Sequence, residues 1–168
     1  MKYKSTINLE VSLVEIILSV LIFAITGVIM LNCFAIAKFT QQKSNDKTNA
    51  SVVVQSSFEY MKSANNYKEM KEIIEKTYSN ETVTEINNET IYTIYYDNDL
   101  NECSKENYEF EMKINIKNIS NTHGEMSDMN VSMEKVEKYP FIKNEDKIIY
   151  FIQSKKFFPI YKGGNYNE

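Results

Sequence analysis

Arginine and tryptophan are absent from this 168-residue sequence, histidine occurs once, and cysteine and proline occur twice each. Without Arg, the 19 basic side chains are all Lys, scattered among 23 Asp and Glu, so neither a bidentate phosphate grip nor a strongly basic face is offered to nucleic acid. Two cysteines, Cys33 and Cys103, cannot build a disulfide framework or an internal zinc site. Four Gly and two Pro exclude collagen-like and Pro-rich chains. The single histidine, His123, lies in Ser120-Asn121-Thr122-His123-Gly124, a turn composition that suits a solvated loop better than a general base or a ligand. No catalytic constellation stands out, so the chain is expected to be non-enzymatic and to need no cofactor.

Charge is also missing from one continuous stretch. The 22 residues Ile16 to Ala37, IILSVLIFAITGVIMLNCFAIA, carry no ionisable side chain apart from the thiol of Cys33. As a helix this run is roughly 33 Å long, enough for a hydrocarbon core of ~30 Å. Ser19, Thr26 and Asn32 can bond to their own helix, and Gly27 is tolerated in membrane helices. The polar remainder could hardly cover a helix that is apolar on every face, which argues against a soluble core helix. A cleaved signal peptide ending at Ala35-Ile36-Ala37 is the rival, but the uncharged run exceeds the usual apolar region of such peptides. Lys2 and Lys4 favour a cytoplasmic N-terminus and an extracytoplasmic remainder, although Lys38, Lys43 and Lys47 follow the span. Glu15 stands at the edge of the run, where an unpaired carboxylate costs on the order of a few kcal/mol; it marks either a specific partner or the headgroup level.

Residues Leu9-Glu10-Val11-Ser12-Leu13-Val14-Glu15-Ile16-Ile17-Leu18-Ser19-Val20-Leu21 resemble the N-terminal helix of type IV pilins and of the pseudopilins of type II secretion. In those families a short basic leader precedes an apolar helix whose fifth mature residue is Glu. The resemblance covers residues 9 to about 62 and makes Val11 the first mature residue, Ser12 the hydroxyl second position and Glu15 the Glu. Family members carry Gly immediately before the mature helix, whereas this sequence has Glu10 there; its glycines are Gly27, Gly124, Gly163 and Gly164. Uncut at Glu10, the chain lacks the free amine that a neighbouring subunit's Glu meets in assembled pilins, which leaves Glu15 to a partner's Lys or the protein to a special place such as a tip. The resemblance implies the membrane, related pilin or pseudopilin subunits and an assembly platform as partners, with a minor role favoured by the missing Gly.

Beyond Lys38, Ala50, Val53, Val54, Phe58, Met61 and Ala64 recur at steps of three and four, a stripe expected to pack on a head rather than to form a coiled coil. The helix is predicted to run from near Leu9 to Met61. A second helix is predicted over Tyr67 to Tyr78, with Met70, Ile73 and Ile74 inward. Four strands follow: Thr90 to Tyr96, an alternating run around Phe110, Met112, Ile114 and Ile116, another around Met129, Val131 and Met133, and Ile148 to Ile152. The expected fold is α+β, a long N-terminal helix packed on a small antiparallel sheet. The expected organisation is residues 1–10 as a basic leader or cytoplasmic end, 11–37 as the transmembrane half of the helix, 38–64 as its amphipathic half, 65–160 as the head and 161–168 as a loose tail.

In the head, Asp97-Asn98-Asp99-Leu100-Asn101-Glu102 places oxygens at Asp97, Asp99 and Asn101 as a calcium loop begins. Glu102 replaces the Gly such a loop needs and Tyr108 stands where a bidentate Glu belongs, so a plain polar turn is preferred. Sequons at Asn80, Asn88, Asn118 and Asn130 carry no weight in a chain this rich in Asn. Cys103 reads as a partly buried thiol. From Phe39 onward the chain has 16 Lys against 21 acidic side chains, with nearly all the membrane-compatible apolarity before it. The competing function is a single-pass or secreted binding module whose helix is merely an anchor or signal.

Overall fold

A computed structural model describes residues 7–86, 88–121, 124–141 and 147–159. Two helices are followed by five strands: α1 (Ile7–Ser63), α2 (Tyr67–Thr77), β1 (Thr82–Ile86), β2 (Glu89–Tyr96), β3 (Phe110–Asn121), β4 (Gly124–Lys135) and β5 (Ile148–Pro159). The fold is α+β, as the sequence implies. The chain divides into two compact units, residues 1–42 with 139–143, and residues 43–138 with 144–168.

In the first unit, α1 continues without a break because no Pro or C-capping Gly interrupts it, and Thr26 and Thr40 return their hydroxyls to carbonyls of their own helix, Ile22 and Ile36, at 2.9 and 2.8 Å. From Leu13 to Ile36 its large apolar side chains are exposed all round, from 46% at Ile36 to 79% at Phe23, while Phe39 is half-buried beside Phe141, their ring centres 5.8 Å apart.

The second unit is a two-layer sandwich. Its sheet is a simple meander in the order β1-β2-β3-β4-β5, every neighbouring pair antiparallel. Alternation sends Tyr92, Ile94 and Tyr96, then Phe110, Met112, Ile114 and Ile116, then Met129, Val131 and Met133 to one face. Cross-strand neighbours on that face include Ile94 with Met112 and Ile114 with Val131. The stripe Ala50, Val54, Phe58, Met61 and Ala64 of α1 covers it together with Met70 and Ile74 of α2, and Val53 and Ile73 pack at the margin. The outer face is wet, with Lys113 bridging Glu111 and Glu134 at 3.2 Å each.

Polar contacts fasten the two layers. Lys156 of β5 donates to the carbonyls of Lys62 and Ala64, satisfying acceptors left over where α1 ends. Lys135 of β4 reaches Asp46 of α1 at 2.7 Å. Asn66 caps α2, its side chain accepting from the Glu69 N–H at 2.8 Å.

Three boundaries differ from the sequence reading. β1 is a fifth strand beside the four expected; fully exposed, it pairs β2 through a hairpin closed at Ile86 and Glu89, with Asn88 in the left-handed region at φ 66°. Its Thr-Val-Thr-Glu-Ile sequence alternates without burying anything, so hydrophobic periodicity gave no signal, though Asn87-Asn88 between two β-branched runs is a hairpin signature. β5 extends past Ile152 to Pro159 because Gln153 to Lys156 alternate in and out of the core despite their polarity. α1 reaches Ser63, two residues past Met61 and directly before the buried Ala64.

Candidate functional site: the apolar helix segment and its carboxylate

Which part of this molecule is built for a function follows from where burial fails. Every large apolar residue from Leu13 to Ile36 is exposed, whereas from Ala50 onward one stripe of the same helix is buried. Among the described residues nothing covers the first segment, and the segment is long and apolar enough to cross a membrane.

Glu15 lies on α1 among exposed Leu13, Val14, Ile16 and Ile17 and is itself exposed, so its carboxylate projects from an apolar surface. Helical spacing puts it on the face that continues through Ser19 and Ile22. Val11 and Ser12 belong to α1, but their side chains lie outside the described residues. Further along, a Cβ built on Gly27 meets nothing within 4 Å, so no contact inside the chain demands glycine there. Cys33 is an exposed thiol on the same segment.

The head-packing residues singled out from the sequence are brought together: Val54, Phe58 and Met61 are buried against the sheet and Val53 is partly buried beside them. The stripe also carries a polar residue that periodicity missed. Ser57 is buried, donates to the Val53 carbonyl at 2.8 Å, and is hydrogen-bonded to the Tyr78 hydroxyl. Burial pushes the Tyr78, Tyr92 and Tyr96 phenols above their ordinary range, so all three stay neutral at physiological pH.

The acidic turn of the head spends its oxygens on itself. Asp97 Oδ1 accepts from the N–H groups of Asp99 at 2.9 Å and Asn101 at 2.8 Å, and Oδ2 accepts from Asn101 Nδ2 at 3.3 Å. These bonds, led by the one from the Asn101 backbone, hold the Asp97 carboxyl below its usual value. The result is an Asx turn with Leu100 at φ 59°. Among the described residues no three His, Cys, Asp or Glu side chains converge as a metal site. Cys103 is half-buried, and burial followed by the Asp97 charge raises its thiol, which favours the protonated form. His123 lies outside the described residues.

A polar depression of about 490 Å³ lies between α2 and the end of the sheet, lined by Tyr67, Lys71, Glu85, Glu89, Thr90 and Asn118 among others. Its groups are already engaged: Lys71 pairs with Glu85 at 2.5 Å, and Glu89 accepts a hydrogen bond from the Asn115 amide. No protein-family model, curated protein or solved structure matches this chain. An apolar N-terminal helix joined to a small antiparallel sheet head is compatible with pilin-like architecture.

Proposed function

We propose that the protein is a non-enzymatic, membrane-anchored structural subunit of pilin or pseudopilin type, a minor component that assembles with related subunits on a secretion, pilus or DNA-uptake platform. The observation that carries this reading is the division within α1: one continuous helix is apolar and exposed all round before Ala37 and amphipathic against a sheet after Ala50. Lipid suits the first part, and so does a bundle of identical helices. Moving an apolar helix between these two surroundings is close to neutral, because lipid tails are as apolar as the side chains, which makes reversible extraction by a motor feasible. Glu15 then supplies what apolar packing lacks, a charge partner that fixes register.

Membrane fractionation combined with the mature N-terminal sequence tests the anchor. The expected result is a membrane protein that retains α1; a soluble protein beginning at Lys38 overturns it. Glu15→Ala tests assembly, with loss of co-assembly and unchanged membrane insertion expected. A binding module with a simple anchor is indifferent to that change.

A further inference from the structure

The two edges of the sheet fit one another. Among the described residues β1 and β5 each pair on one side only, leaving a row of backbone donors and acceptors open along each. Their charges differ in sign: β1 and the residue before it carry Glu81 and Glu85, Glu85 being paired with Lys71 of α2, while residues 147 to 159 carry Lys147, Lys155 and Lys156 and no acid, Lys155 lying 3.9 Å from Asp128 of β4. Both edges also expose apolar side chains, Val83 and Ile86 on β1, and Ile148, Phe151 and Phe157 on β5.

Direction decides how a second copy meets these edges. Five strands in an antiparallel meander make β1 and β5 run the same way. A copy shifted sideways in the plane of the sheet therefore brings its β1 parallel to β5 of the first, with the sheet-packed segment of α1 keeping its sense in both. Pairing β5 with β5 across a twofold axis turns that segment end for end, which chains anchored in one membrane cannot accept. The shift also keeps faces matched. Glu85 falls on the face of Lys156 and Ile152, and Ile86 on the face of Phe151 and Phe157, following the alternation recorded within the sheet.

We propose that β1 of one subunit pairs in parallel with β5 of the next, so that anchored copies join edge to edge in an open, head-to-tail row. This rests on the reading above that the chains stand side by side in one membrane. β1 contributes only five residues, so the ladder is short and holds because anchoring raises the effective concentration of the heads.

The test uses the full chain in its own membrane, with Cys33→Ser and Cys103→Ser as background and a short bis-maleimide as cross-linker. Thr84→Cys and Gln153→Cys lie on exposed positions of the same sheet face. Each alone is expected to give monomer, a mixture of the two to give a dimer, and both in one chain to give a ladder of multimers. Dimers from Gln153→Cys alone overturn the head-to-tail arrangement in favour of a twofold one. A parallel sample retaining native Cys33 reports helix proximity. Cross-links through Cys33 without any between Thr84→Cys and Gln153→Cys overturn the edge pairing alone, and cross-links of neither kind overturn the assembly reading as well.

Discussion

Lys135 and Asp46 tie the sheet to the spine, and their burial makes a sharp prediction. The Lys135 ammonium lies 2.7 Å from Asp46 Oδ2 and 4.6 Å from the centre of the Phe110 ring, with only 9% and 14% of the two side chains exposed. Removing one member of such a pair leaves the other charge with little water, at a cost of about 3 kcal/mol, the lower end of the range for buried pairs because some exposure remains. Asp46→Ala and Lys135→Met should each cost about that much, shifting the melting temperature of a head of this size by roughly 15 °C. The double variant Asp46→Leu with Lys135→Met puts apolar side chains where the ions met and should return to within about 1 kcal/mol of the parent. The full chain in detergent micelles, melted under near-ultraviolet CD of its tyrosines, reports the head selectively because the sequence has no Trp and, before Ala37, no Tyr but Tyr3. Single variants costing under about 1 kcal/mol, or a double variant as unstable as the singles combined, would refute the claim that these charges are coupled by burial.

Three further perturbations read other parts of the molecule. At Gly124 an added Cβ comes within 2.5 Å of the Phe158 carbonyl oxygen and 2.7 Å of the Phe157 ring, so Gly124→Ala should destabilise the β4–β5 ladder by about 1–3 kcal/mol in the same melt. The phenols of Tyr78, Tyr92 and Tyr96 are raised from an unperturbed 10.0, so their contribution to stability is whole below about pH 10 and is lost as pH rises toward their folded values. A spectrophotometric titration should show this set ionising together as the head unfolds, and smooth ionisation of every tyrosine in a folded head would contradict it. Gly27→Leu meets nothing inside the chain and should leave the melt unchanged, yet it should reduce Cys33 cross-linking between chains if neighbouring helices approach at Gly27.

The parts of this fold that sequence revealed are those in which side-chain chemistry and burial agree. The stripe from Ala50 to Ala64 and the strands around Ile114 and Val131 follow their periods because each inward position is apolar and each outward one polar. β1 was hidden for the opposite reason: all five residues are exposed, so its existence depends on backbone pairing with β2 and on a hairpin at Asn88 rather than on burial. The polar half of β5 was hidden because its inward residues Ser154 and Lys156 do not read as core. Lys156 turns inward to reach carbonyls at the end of α1, a demand that arises only once helix and sheet have met. Lys135 and Asp46, 89 positions apart, are likewise legible only in three dimensions.

Glu15 illustrates a different limit. Its sequence neighbours mark it as unusual, but among the described residues it meets nothing that explains a carboxylate in that place, and Gly27 meets nothing that requires a glycine. Headgroup level accommodates a carboxylate at the edge of the run, and on the proposed reading a second surface gives both features a use. A lipid surface alone favours neither, since a carboxylate costs more there than any apolar residue and a glycine forgoes the contacts a larger side chain would make. A second helix accounts for both, because close approach suits a small residue and a cationic partner suits the carboxylate. On the proposed reading, lipid accounts for the composition of the segment as a whole, and helix–helix assembly gives a use to Glu15 and Gly27.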